Sequence, residues 1–84
     1  MLKKTFSLSS LKIGDCGRVV DFLIDGDFRR KLLGIGIYPG VRLRILRTGP
    51  FGNPVEVLVD DSLFVAVRRR EARNIIIEPC NEKN

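Results

Sequence analysis

The chain has 84 residues and a mass of 9.5 kDa, with 44% apolar and 30% charged side chains and a net charge of +5. A core of this size buries roughly 60–65% of the surface its unfolded chain exposes, which allows one domain and excludes most enzyme scaffolds. The sequence contains no His, so Ser-His-Asp and Cys-His catalysis and His-ligated zinc or haem are excluded.

Residues 1–7 read as a flexible N-terminal tail. Residues 8–11, Leu-Ser-Ser-Leu, suit one helical turn capped by Ser7. Gly14, Asp15 and Gly17 mark a turn, and residues 18–24 follow as the first strand. Its Val20/Phe22/Ile24 face is wholly apolar and is expected to point inward, with Val19, Asp21 and Leu23 outward. Asp25-Gly26-Asp27 breaks the strand and supplies a helix cap. Phe28, Leu32 and Ile35 then recur at the spacing of one helical stripe, with Arg29, Arg30 and Lys31 on the other side. Gly34 or Gly36 ends this helix in the left-handed conformation. Tyr38-Pro39-Gly40 fits a type II turn.

Val41, Leu43 and Ile45 alternate with Arg42 and Arg44, as a half-buried strand requires. Residues 49–54, with two prolines and two glycines, form a hairpin loop. Val55, Val57 and Val59 make the inner face of the next strand, Asp60-Asp61-Ser62 a tight turn, and residues 63–67 a fourth strand. Glu71-Ala72-Arg73 suits one 3₁₀ turn. Residues 74–78 form the last strand, which Pro79 stops, and residues 80–84 read as a C-terminal tail. Five short strands with one apolar face each must close on themselves to cover their edges. The expected fold is mostly β: a small, partly open five-stranded barrel, with one short helix after the first strand and a 3₁₀ turn before the last. It occupies residues 8–79 as a single domain.

Charge is concentrated between residues 29 and 73, where ten basic side chains face four acids. Most of these cations are arginines, whose forks bind carboxylate or phosphate through paired hydrogen bonds. Leu58 lies between Val57 and Val59 and so faces away from them. Leu46 interrupts the Arg42/Arg44 face in the same way, and Phe51 tops a loop with nothing local to pack on. Patches of this kind mark interfaces, and the expected partner-binding residues are Leu46, Phe51, Leu58, Arg68 and Arg69. The only close acid pairs, Asp25/Asp27 and Asp60/Asp61, sit in turns, where Asp serves the backbone. No catalytic, metal or cofactor-binding residue is assigned, and no nucleophile–base pair is visible.

The blocks Ile35-Gly36-Ile37-Tyr38-Pro39-Gly40, Gly52-Asn53-Pro54 and Ala66-Val67-Arg68-Arg69-Arg70-Glu71-Ala72 with Ile75 resemble, in order and spacing, the FeoA family of small cytoplasmic accessory proteins of bacterial ferrous iron transport. Asn53 stands where Asp is usual, and Asp60-Asp61-Ser62 replaces a glycine-containing turn. The resemblance implies an SH3-like barrel. It also implies a non-enzymatic function: docking on the cytoplasmic GTP-binding part of a FeoB-type ferrous iron transporter. Localisation is expected to be cytoplasmic, at the inner membrane face when the transporter recruits the protein. Direct membrane insertion is not expected, because no apolar run approaches ~20 residues. Self-association through barrel edges is left open. In such a barrel the first and last strands are neighbours, which brings Cys16 near Cys80. Reduced thiols are the expectation there, with a disulfide or a soft-metal pair as the alternatives. The runner-up function is a nucleic-acid-binding barrel or a metal-responsive regulatory module. The sparse aromatics and missing groove helix count against nucleic acid as a partner.

Overall fold

A computed structural model describes residues 4–80. It contains six strands in chain order: β1 (Phe6–Ser7), β2 (Cys16–Phe22), β3 (Arg42–Thr48), β4 (Val55–Val59), β5 (Leu63–Val67) and β6 (Ile75–Pro79). Helix α1 (Asp27–Gly34) follows β2, and the four-residue α2 (Arg69–Ala72) precedes β6. All strand pairs are antiparallel, and the sheet order is β1-β6-β2-β3-β4-β5. The fold is SH3-like. It has six strands where five were expected, and its sheet is not closed: β1 and β5 remain edges.

The extra strand comes from the segment expected to be a tail. Phe6 and Ser7 pair with Ile77 and Ile76 of β6. The Ser7 hydroxyl accepts from the Ser9 N–H at 3.2 Å and donates to the Ala72 carbonyl at 3.1 Å. This capped 3₁₀ turn, Leu8–Ser10, drives Leu8 fully into the core. Residues 1–3 of the expected N-terminal tail and 81–84 of the C-terminal one lie outside the described residues.

The inward face of β2 differs from the simple alternation. Val19 and Phe22 are buried, whereas Val20 and Ile24 are exposed. The cause is a bulge: the register against β6 shifts between Val19 and Asp21. One extra residue on the bulged strand resets which side chains face the core. Asp21 therefore points outward, where it pairs with Arg29 of α1 at 2.8 Å. The Arg29 guanidinium also lies 5.1 Å over the Phe22 ring, and Phe28 meets that ring edge-on at 6.1 Å. These contacts fasten α1 to β2. The Asp21 carboxyl is held below its usual value, first by the Phe22 N–H and then by Arg29.

The turn chemistry follows the sequence closely. The Val41 N–H donates to the Tyr38 carbonyl at 3.1 Å across Pro39-Gly40, with Gly40 at φ +103°. Helix α1 stops at Gly36, φ +96°, whose neighbour Ile37 is fully buried. The turn before β6 is a single α-helical turn with 3₁₀ bonds at its ends, wound less tightly than a pure 3₁₀ turn. Ala72 and Arg73 donate four residues back, while Glu71 and Asn74 donate three back. The core is a single cluster in which Leu8, Leu32, Ile37, Leu43, Val57, Ala72, Ile75 and Ile77 are fully buried.

Cys16 and Cys80 form a disulfide with Cα atoms 5.5 Å apart, so the expectation of reduced thiols does not hold. The antiparallel pairing of Gly17 with Pro79 brings the two backbones together at the end of β2 and β6. Among the described residues no helix is long and apolar enough to cross a membrane.

Candidate docking surface

Strands β3, β4 and β5 turn one face to the core and the other to solvent. On the outer face, Leu58 stands in register between Arg44 of β3 and Phe64 of β5. Leu46 lies on the same side, at a second bulge where the β3–β4 register shifts between Ile45 and Arg47. Leu46 is 37% and Phe64 54% exposed, and Leu58 is half-buried between them. Phe64 was not among the residues expected here. LFVAV has apolar side chains at every position, so alternation cannot say which face is outer. The burial of Val67 decides it.

The second cluster is at the far end of the β3–β4 hairpin. The loop is closed by the Gly49 N–H donating to the Pro54 carbonyl at 2.8 Å and the Gly52 N–H donating to Gly49 at 3.0 Å. Inside it Phe51 adopts φ +60° and is fully exposed. A non-glycine residue in this left-handed region carries strain. Asn53 Oδ1 accepts from the Arg69 N–H at 3.0 Å, which ties the loop to the start of α2. The Arg69 guanidinium also packs where a side chain on Gly52 would sit. The structure thus brings Phe51 and Arg69 together, with Arg68 adjacent in sequence. Leu46 and Leu58 form a separate cluster on the outer sheet face.

At least half of the ten basic side chains between residues 29 and 73 are already paired. Arg29 bonds Asp21 and Asp25, Arg30 bonds Asp27, Lys31 bonds Glu71, Arg42 bonds Asp61 and Arg47 bonds Glu56. Among the described residues Arg69, Arg70 and Arg73 form no ion pair. The arginine stretch is therefore narrower as a charged surface than its composition indicates: of its uncompensated cations, Arg69 lies against the Phe51 loop and Arg70 faces α1. Glu71 anchors this region from below. Burial alone would raise its carboxyl, but hydrogen bonds from Lys31 and the Arg68 N–H outweigh that and hold it below the ordinary value.

Asp25 and Asp27 bond arginines, while Asp60 accepts the Arg42 N–H at 2.8 Å. Among the described residues no three His, Cys, Asp or Glu side chains converge on one point. A cleft of about 340 Å³ between α1 and α2 is lined by Ile24, Phe28, Lys31, Arg70, Glu71 and Asn74; it brings no nucleophile and base together.

An antiparallel sheet of this strand order is that of an SH3-like domain. Residues 6–79 match the FeoA domain family, and the chain belongs to that family, small accessory proteins of ferrous iron transport. No curated protein matches it in sequence. Among solved structures it is similar to the FeoA protein of Chlorobium tepidum, with 32% identity, a TM-score of 0.82, and coverage of 94% of this chain and 74% of that one. The zinc-complexed FeoA of Stenotrophomonas maltophilia, described as a prokaryotic SH3 domain protein, is 27% identical with a TM-score of 0.66, covering 84% and 87% of the two chains. A manganese-dependent transcriptional repressor is 25% identical with a TM-score of 0.84; the similarity covers 95% of this chain but 44% of that one.

Proposed function

We propose that this chain is a non-enzymatic accessory of bacterial Fe(II) uptake that docks on the cytoplasmic GTP-binding part of a FeoB-type transporter. The observation that carries this reading is the Phe51 tip: a fully exposed aromatic ring, held in a closed loop beside Arg69, which forms no ion pair. An aromatic anchor next to arginines is the composition of an interface hot spot. Arginines without acids of their own are suited to carboxylates on a partner. Leu46, Leu58 and Phe64 extend the contact area along the sheet. Membership in a family of transport accessories supports the choice of partner.

The test is a chemical-shift titration of the labelled chain with the soluble GTP-binding domain. Shifts are expected to centre on residues 49–54 and 68–70, and Phe51→Ala should weaken binding at least about tenfold while leaving folding unchanged. Absence of shifts at saturating domain removes the reading. Nucleic acid is a weaker alternative, because the basic face of α1 is neutralised by Asp21, Asp25, Asp27 and Glu71. A gel shift on random duplex, steeply salt-dependent if real, separates the two.

A further inference from the structure

Strand β5 is an undefended edge. Its five residues Leu63–Val67 pair with β4 without a register shift. Beyond that pairing, no backbone hydrogen bond reaches them among the described residues. The strand carries no charge, no proline and no bulge, the devices that normally blunt an exposed edge. The other edge, β1, is only two residues long, so it is protected by brevity. Leu63 and Phe64 are 45% and 54% exposed, and Ala66 is exposed as well.

The residues around β5 are arranged in a self-complementary order. The run from Asp60 to Arg70 reads DDSLFVAVRRR. Acids precede the strand and arginines follow it. Antiparallel pairing with an identical strand, centred on Val65, sets Leu63 opposite Val67 and the large Phe64 opposite the small Ala66. Beyond the strand, the same two-fold pairing brings the acidic turn of one copy, Asp60 and Asp61, toward the arginines at the start of α2, Arg69 and Arg70, of the other. Two-fold symmetry repeats each of these matches. Asp61 already accepts from Arg42, but a carboxylate has two oxygens and room for another donor. The left-handed Asp60 and Asp61, at φ +47° and +62°, stand in the three-residue turn between Val59 and Leu63 that keeps the acids at the start of the strand.

We propose that β5 docks on β5 of a second copy of this chain, extending two sheets into one across a two-fold axis. The occupant is a second copy because the charge order matches its own reverse. An unrelated antiparallel strand would need this same order, acidic residues before and basic residues after its apolar run. The pairing also joins the Leu58–Phe64 strips of both copies into one apolar band. It shares Phe64 and Arg69 with the surface proposed for the transporter, but self-association is measured on the chain alone, so either reading can fail while the other holds.

Sedimentation equilibrium of the full chain from micromolar to millimolar concentration tests the proposal. The mass is expected to rise from 9.5 kDa toward twice that value, and Phe64→Lys, at an exposed position, should weaken association at least about tenfold. Asp61→Lys and Arg69→Glu should each weaken self-association, and an equimolar mixture of the two should recover it, since every strand end then meets an opposite charge. Amide exchange needs no variant: protection of the β5 edge N–H groups should rise with concentration. A mass fixed at 9.5 kDa with flat amide protection overturns the proposal. So does association indifferent to Phe64→Lys, or no recovery on mixing folded Asp61→Lys and Arg69→Glu chains.

Discussion

Strands β5 and β6 are the same length and nearly the same in character, yet the fold treats them oppositely. β6 (Ile75–Pro79) lies between β1 and β2, with Ile75 and Ile77 fully buried. Its end is tied to β2 through Cys80 and Cys16. β5 (Leu63–Val67) has one neighbour, and only Val67 of its five side chains is buried. Apolar character does not tell a central strand from an edge. Position in the sheet does, because each neighbouring strand removes one row of backbone groups and one flank of side chains from water. The exposed apolar surface of this protein therefore gathers on the β4–β5 side.

The sharpest way to break this comparison is a matched pair of truncations. Ile77→Ala removes a fully buried side chain and should cost about 4 kcal/mol. Phe64→Ala, measured at low concentration, should change stability by less than about 0.5 kcal/mol. Urea denaturation checks both, and equal effects would end the distinction. Next in size is the disulfide, whose cysteines are separated by 64 residues. Its reduction, or Cys16→Ser with Cys80→Ser, should cost about 3 kcal/mol, since the unfolded chain regains the entropy of a long closed loop. The loss should read out as faster amide exchange along β6 and not along β5.

The smallest effect concerns Glu71, which joins α2 to Lys31 of α1 and caps its own turn through the Arg68 N–H. Its folded pKa is lower than the ordinary 4.5. A depressed carboxyl stabilises the fold fully above its unfolded pKa, and the contribution is lost as pH falls below 4.5 through the folded value. Because Lys31 is half-exposed, the size is about 0.5–1 kcal/mol. Glu71→Gln should flatten that part of the stability curve against pH.

Much of this architecture can be read from residue type and spacing. The valines of β4, the Val41/Leu43/Ile45 alternation, the Pro39-Gly40 turn and the Ser7 cap are local patterns, and each forms as its chemistry demands. The first strand shows why others fail. Val20 and Ile24 fit an inward face by strict alternation, but the bulge against β6 sends Val20 out and brings Val19 in. A bulge answers to the partner strand, which lies some fifty residues away in sequence. Phe6 and Ser7 carry too little pattern to announce a strand and become one because β6 offers an edge. The site residues divide in the same way. Leu46, Leu58 and Phe51 are conspicuous as apolar side chains in polar positions, whereas Phe64 hides in an apolar run. That Arg69 sits against Gly52 depends on the loop folding back.

By itself, the order of amino acids determined a small β protein of this family, its turns, its single helix stripe and the absence of catalytic histidine chemistry. These follow from side-chain type and short-range stereochemistry, which act within a few residues. The tertiary structure alone decided which apolar strand is enclosed and which left open, which arginines are already neutralised, and that Cys16 meets Cys80. Those outcomes depend on strand order and on contacts between distant segments, and no local rule of spacing contains them.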